Sequence, residues 1–131
     1  MTEAAVDSQI KVLVCVTGQM TCERLIREGA DIAAQLDGRV SVVHVAAQGA
    51  AILGNRREGE ALEYLFRAAD EVGADMTVLR ADDVMNTLVD FAREQRVDCI
   101  VVGAGHGREG SDFAERLRVR LPSVEVRSVY T

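Results

Sequence analysis

The chain is predicted to adopt an α/β fold: a single-domain, three-layer sandwich with a five-stranded parallel sheet covered by helices on both sides. Three observations predict it. Apolar runs of strand length alternate with amphipathic helical stripes along the whole chain of 131 residues. The runs at Ile10 to Val16 and Ile100 to Val102 are almost unbroken, as in strands buried on both faces. No repeat period, linker or low-complexity stretch separates the units, so β-α repeats four times and closes with a strand. Right-handed crossovers and the common strand order 3-2-1-4-5 then follow, with residues 1–9 a flexible N-terminus and 10–131 the domain.

Each element has its own signal. The first strand, Ile10 to Val16, ends at Thr17-Gly18, and Thr17 or Thr21 caps a helix that turns Cys22, Leu25, Ile26, Gly29, Ala33 and Leu36 inward until Asp37-Gly38 stops it. Val40 to Ala46 is a second apolar run, followed by a loop from Gln48 to Gly54. After Asn55, a stripe of Leu62, Leu65, Phe66, Ala69 and Val72 marks the second helix, and Gly73 ends it. Met76 to Leu79 is a short third strand. Asp82 or Asp83 caps a third helix with Val84, Leu88, Phe91 and Ala92 inward, ending near Arg96. Asp98 to Val102 is the fourth strand. A last helix, Ser111 to Leu121, buries Phe113, Leu117 and Leu121 and stops at Pro122, and Val124 to Tyr130 forms an edge strand.

Composition narrows the function. A net charge of -6 argues against a broad nucleic-acid surface or an acidic membrane face, and no Trp is present to build a base-stacking platform. No stretch approaches the roughly 18 apolar residues of a spanning helix, and Met1 to Gln9 lacks a signal peptide's basic start and apolar run. A cytoplasmic location without membrane or nucleic-acid partners is therefore expected. Cys15, Cys22 and Cys99 have no C-x-x-C spacing and read as reduced thiols, with no metal site.

The chemistry gathers where the fourth strand empties into a glycine-rich loop, Gly103-Ala104-Gly105-His106-Gly107-Arg108-Glu109-Gly110-Ser111. Glycines let backbone amides approach an anion without a Cβ in the way. In the expected strand order this loop faces Thr17-Gly18-Gln19 across the crevice between the first and fourth strands, where ligands of open α/β sheets sit. The only lysine, Lys11, opens the first strand, so no P-loop lysine is available. A receiver-type phosphoacceptor lacks its carboxylates and lysine, and a flavodoxin lacks its flavin-sandwiching aromatics. His44 and His106 stand near strand ends, and Asp83 either caps its helix or meets a ribose hydroxyl. Arg56, Arg57 and Arg108 either meet phosphate or stay solvated. With no nucleophile, base and orienter set, binding rather than turnover is expected.

From Ile10 to Tyr130 these residues resemble the universal stress protein family. Asp98-Cys99-Ile100-Val101-Val102-Gly103 is similar to its fourth strand and first phosphate-loop glycine, and Asp82 to Arg96 to the preceding helix. Val14-Cys15-Val16-Thr17 and Glu23-Arg24-Leu25-Ile26-Arg27 look like the stress-protein module of potassium-sensing Kdp histidine kinases, and with no kinase or membrane part a free-standing relative of that module is expected. The resemblance implies the adenine nucleotide alpha hydrolase-like fold, homodimers paired through the last strand and, in one subclass, ATP held by G-x-x-G-x9-G-[ST]. Here Gly103 fits the first position, His106 replaces the second glycine, and Arg116-Leu117 replace the closing pair. Some Kdp-type modules bind cyclic di-AMP through Ser-x-Ser, twenty residues, then Phe-Thr-Ala-x-Tyr. Thr17-Gly18-Gln19 and, after twenty residues, Val40-Ser41-Val42-Val43-His44 keep that register, with His44 in place of the tyrosine.

The resemblance thus implies a regulatory protein of stress or potassium-related signalling. Its nucleotide crevice would hold ATP or cyclic di-AMP and require no cofactor. Gly103, Gly105, Gly107 and Ser111 would touch phosphate, and Thr17 and Asp83 the base or ribose. Gly18, His44 and His106 complete the expected contacts. Its rivals are a module that binds no nucleotide and meets itself or an unknown protein client through Val124 to Val129, and a weak nucleotide hydrolase that depends on His106.

Overall fold

Nearly continuous Val, Ile and Leu runs make poor amphipathic helices but good strands for a sheet covered on both faces. In a computed structural model, which describes residues 9–16, 22–47, 56–104 and 108–130, these runs become β1 (Lys11–Val16), β2 (Arg39–Ala47), β3 (Asp75–Ala81), β4 (Cys99–Ala104) and β5 (Glu125–Tyr130). Between them lie α1 (Cys22–Gln35), α2 (Arg56–Glu71), α3 (Val84–Gln95) and α4 (Arg108–Arg120). All pairings are parallel, as the alternation predicts, and the strand order is β3-β2-β1-β4-β5, the common order expected for such a sheet.

Alternate residues of each strand feed two cores. Val12, Val14, Val16, Val42 and Val101 pack under α1 and α2 against Leu25, Ile26, Ile32, Leu65 and Ala69. Leu13, Val43, Ile100 and Val102 pack under α3 and α4 against Leu88, Val89, Ala92 and Leu117. The turns that return from each helix to the amino end of the next strand are closely bonded. Gly38 N–H donates to Ala33 O at 2.7 Å, Ala74 N–H to Ala69 O at 2.9 Å and Val97 N–H to Ala92 O at 3.2 Å. Gly73 has φ 72°, the left-handed conformation that stops α2 where expected.

The expected helix faces need correction. Leu36, Phe66 and Val84 are exposed rather than inward. Leu36 lies past the last residue of α1, the buried face of α2 is centred on Leu65, Ala68 and Ala69, and that of α3 on Met85, Leu88, Val89 and Ala92. Neighbouring helix positions differ by about 100° in direction, so a stripe read one residue off turns a large side chain to water. The last helix also begins at Arg108 rather than Ser111, which moves Gly110 and Ser111 from the expected loop into its first turn. One glycine costs a helix only about 1 kcal/mol, too little to set its start. Val124 stays in the preceding turn, its N–H donating to Leu121 O at 3.1 Å.

Candidate functional site

The sheet order sets the position of the crevice. β1 and β4 are adjacent and parallel, yet β1 leads to α1 on one face while β4 leads to α4 on the other. Two connections that leave adjacent strands in opposite directions open a cleft beyond the carboxyl ends, the usual ligand position in such sheets.

A row of residues crosses the sheet at this end. Val16 pairs with His44, and Cys15 with Val102, which places Gly103 level with Val16 on the next strand. His44 and Gly103 therefore flank Val16 on the α1 face, two strand spacings apart or roughly 10 Å.

His44 is only 9% exposed, and its Nδ1 lies 3.0 Å from the carbonyl oxygen of Val16. A carbonyl only accepts, so Nδ1 carries the proton, and in the neutral ring Nε2 is left as an acceptor. The bond ties the carboxyl-terminal half of β2 to the end of β1, where the chain enters the Thr17-Gly18 segment. Sequence reading placed His44 at or near the strand end, and the structure puts it just inside, before Val45, Ala46 and Ala47 of β2, but the reading missed Val16 as its partner. The signal that would find it is the parallel register.

Gly103 is half-buried, and among the described residues a Cβ built on it would meet only Leu25 Cδ2, at 3.6 Å. That is an ordinary van der Waals distance, so none of the described neighbours requires glycine here. The missing side chain leaves the lip of the crevice low.

Asp83 stands apart from this row, before α3, whose core lies under the other face. It is the N-cap: Oδ1 accepts the Asn86 N–H at 3.0 Å and Oδ2 accepts Asn86 Nδ2 at 2.7 Å. Asn86, not singled out in the sequence, engages both oxygens. Asp82 is exposed at the same turn. Thr17, Gly18, Gly105, His106 and Gly107 lie outside the described residues, as do the side chains of Arg56, Arg57, Arg108 and Ser111. Ser111 is placed by its backbone in the first turn of α4.

Cys15 flanks the row on the opposite face, half-buried against the α3–α4 core, and burial pushes its thiol up to about 12. Cys99 is buried on the α1–α2 side and is likewise raised, first by burial and then by the Glu125 carboxylate. Both thiols are thus held in the weakly nucleophilic protonated form. Among the described residues no group of His, Cys, Asp and Glu is arranged to hold a metal ion, and no helix is long and apolar enough to cross a membrane.

Comparison with known proteins agrees with this architecture. The profile of the universal stress protein family matches residues 10–119. The sensor protein KdpD of Mycobacterium tuberculosis (strain CDC 1551 / Oshkosh) is 35% identical over 100 residues, which make up 74% of this chain and 11% of that protein. The universal stress protein of Archaeoglobus fulgidus superposes with a TM-score of 0.69 at 24% identity, covering 91% of this chain and 92% of that one. A structure of the Archaeoglobus fulgidus universal stress protein in complex with dAMP gives a TM-score of 0.64 at 25% identity, covering 91% and 96% of the two chains. The match to the family profile extends from the first strand into the last helix, and the chain belongs to the universal stress protein family.

Proposed function

We propose that this chain is a regulatory domain that takes an adenine nucleotide into the crevice between the carboxyl ends of β1 and β4. The observation that carries this reading is the divergence of α1 and α4 to opposite faces from adjacent strands. The complex of an Archaeoglobus fulgidus relative with dAMP supports it, as does the low lip at Gly103, where no described neighbour needs the missing Cβ. The phosphates would lie over the Gly103 to Gly107 segment toward the start of α4, and His44 Nε2 would accept a hydrogen bond from a ligand donor. ATP and cyclic di-AMP are the two nucleotides to distinguish. The altered spacing at His106 and Arg116-Leu117 favours a ligand with less demand on a triphosphate cradle. The likeness to a region of KdpD supports a place in stress or potassium-related signalling. We assign the domain binding rather than turnover.

Calorimetric titration of ATP, AMP and cyclic di-AMP tests the proposal. Saturable heat from at least one nucleotide, weakened at least about fivefold in His44→Ala, is expected for the loss of one hydrogen bond of about 1 kcal/mol. No heat from any of the three at high micromolar concentration would overturn it. The outer edge of β5, which has no neighbouring strand among the described residues, favours a second reading beside the first, self-association of two copies through that strand.

A further inference from the structure

β5 ends the sheet, and its outer edge has no neighbouring strand among the described residues. Along a strand, backbone groups point alternately to one side and the other. Glu125 N–H donates to Asp98 O at 3.1 Å, on the β4 side. Glu125, Arg127 and Val129 therefore turn their backbone groups toward β4, and Val126, Ser128 and Tyr130 turn theirs outward. Such a row is a template for another strand.

The first acceptor of that row is already taken. Arg118, in the last turn of α4, reaches around the edge and donates from Nη2 to the Val126 carbonyl oxygen at 2.9 Å. Its Nη1 is held by Glu115 Oε1 at 2.7 Å, one helical turn back. Alongside, Arg127 Nε meets Glu125 Oε2 at 2.6 Å, so charged side chains also flank the strand. Glu115, Arg118 and Val126 O form a clamp in which a helix side chain satisfies what a neighbouring strand would otherwise satisfy.

We propose that Arg118 guards the open edge of β5 and weakens pairing with the β5 of a second copy. In a two-fold antiparallel pair centred on Ser128, Val126 of each copy faces Tyr130 of the other and must accept its N–H. The guanidinium already bonds that oxygen in each chain and competes with the incoming N–H for it, and symmetry doubles the loss. The guard acts whether or not a nucleotide is bound.

Sedimentation equilibrium on the full chain tests this. Arg118→Ala is expected to tighten the dimer dissociation constant by about tenfold. Adding Ser128→Pro is expected to abolish the gain, because it removes an outward N–H while leaving the bonds to β4 intact. Should the double variant fail to fold, amide exchange at Ser128 in Arg118→Ala serves in its place and is expected to slow as concentration rises. Arg118→Ala that associates no more tightly than the parent overturns the proposal. So does a gain that survives Ser128→Pro, or Ser128 exchange that ignores concentration.

Discussion

Cys15 and Cys99 sit one on each side of the sheet, and neither thiol is in its ordinary ionisation range. Burial raises Cys15 from 9.0 to about 12, so the folded chain favours the protonated thiol. The sign of the linkage follows: this contribution to stability is complete below about pH 9 and is lost as pH climbs toward 12. In a Cys22→Ser variant, which leaves these two cysteines, a thiol-specific disulfide reagent at pH 8 is expected to label the folded chain slowly and both thiols rapidly in denaturant. Fast labelling of the folded chain would contradict the burial. Urea midpoints of that variant should also fall more steeply above pH 9 than those of its Cys15→Ala derivative. Residues of this kind were legible because their apolar runs identify strands. The partner of His44 was not, since Val16 stands 28 residues away and meets it only through a parallel register that periodicity does not contain. Asp83 was half legible. Its capping role follows from a carboxylate before an amphipathic stripe, but the use of both oxygens by Asn86 depends on rotamers.

At the scale of elements, α1 shows what binds a helix to this sheet. A Cβ on Gly29 would collide with Val14 Cγ2, so the helix lies closer to β1 than a side chain would allow. Gly29→Ala therefore sets two effects against each other. Alanine favours the helix by about 1 kcal/mol, whereas overpacking a core contact costs about 1–3 kcal/mol. Net destabilisation of up to about 2 kcal/mol is expected in urea unfolding. In a Val14→Ala background the collision is gone, and the same substitution is expected to be neutral or stabilising. Equal effects in the two backgrounds would show that Gly29 is not there for the close approach. The sequence placed Gly29 on the inward face correctly, because Leu25, Ile26 and Ala33 share it. Phe66 and Val84 misled for a shared reason. Both are large apolar residues beside the true stripe, and side-chain size says nothing about whether a helix face is centred on Leu65 or one position later.

The topology of the whole molecule was legible because strict β-α alternation with right-handed crossovers leaves few strand orders, and the one found places β1 beside β4. A ligand is harder to read. The order of a sheet locates a crevice, while the loops that line it choose their contents, and here His106 and Arg116-Leu117 break the spacing that would have named ATP. Thermodynamic linkage connects the two levels. A nucleotide that binds only the folded chain stabilises it by about 2.7 kcal/mol at a hundred times its dissociation constant. For a domain of 131 residues that corresponds to a rise in Tm of about 5–10 °C. Gly103→Ala separates site from scaffold, because among the described residues the added methyl meets only Leu25, at van der Waals distance, and yet stands at the lip of the crevice. The variant is expected to unfold within about 2 °C of the parent without ligand, since substitutions that disturb no packing change stability little. With nucleotide it is expected to lose at least half of the rise. A variant that keeps the full rise would move the phosphates away from β4. If it instead melts far below the parent without ligand, glycine at this position serves packing rather than binding.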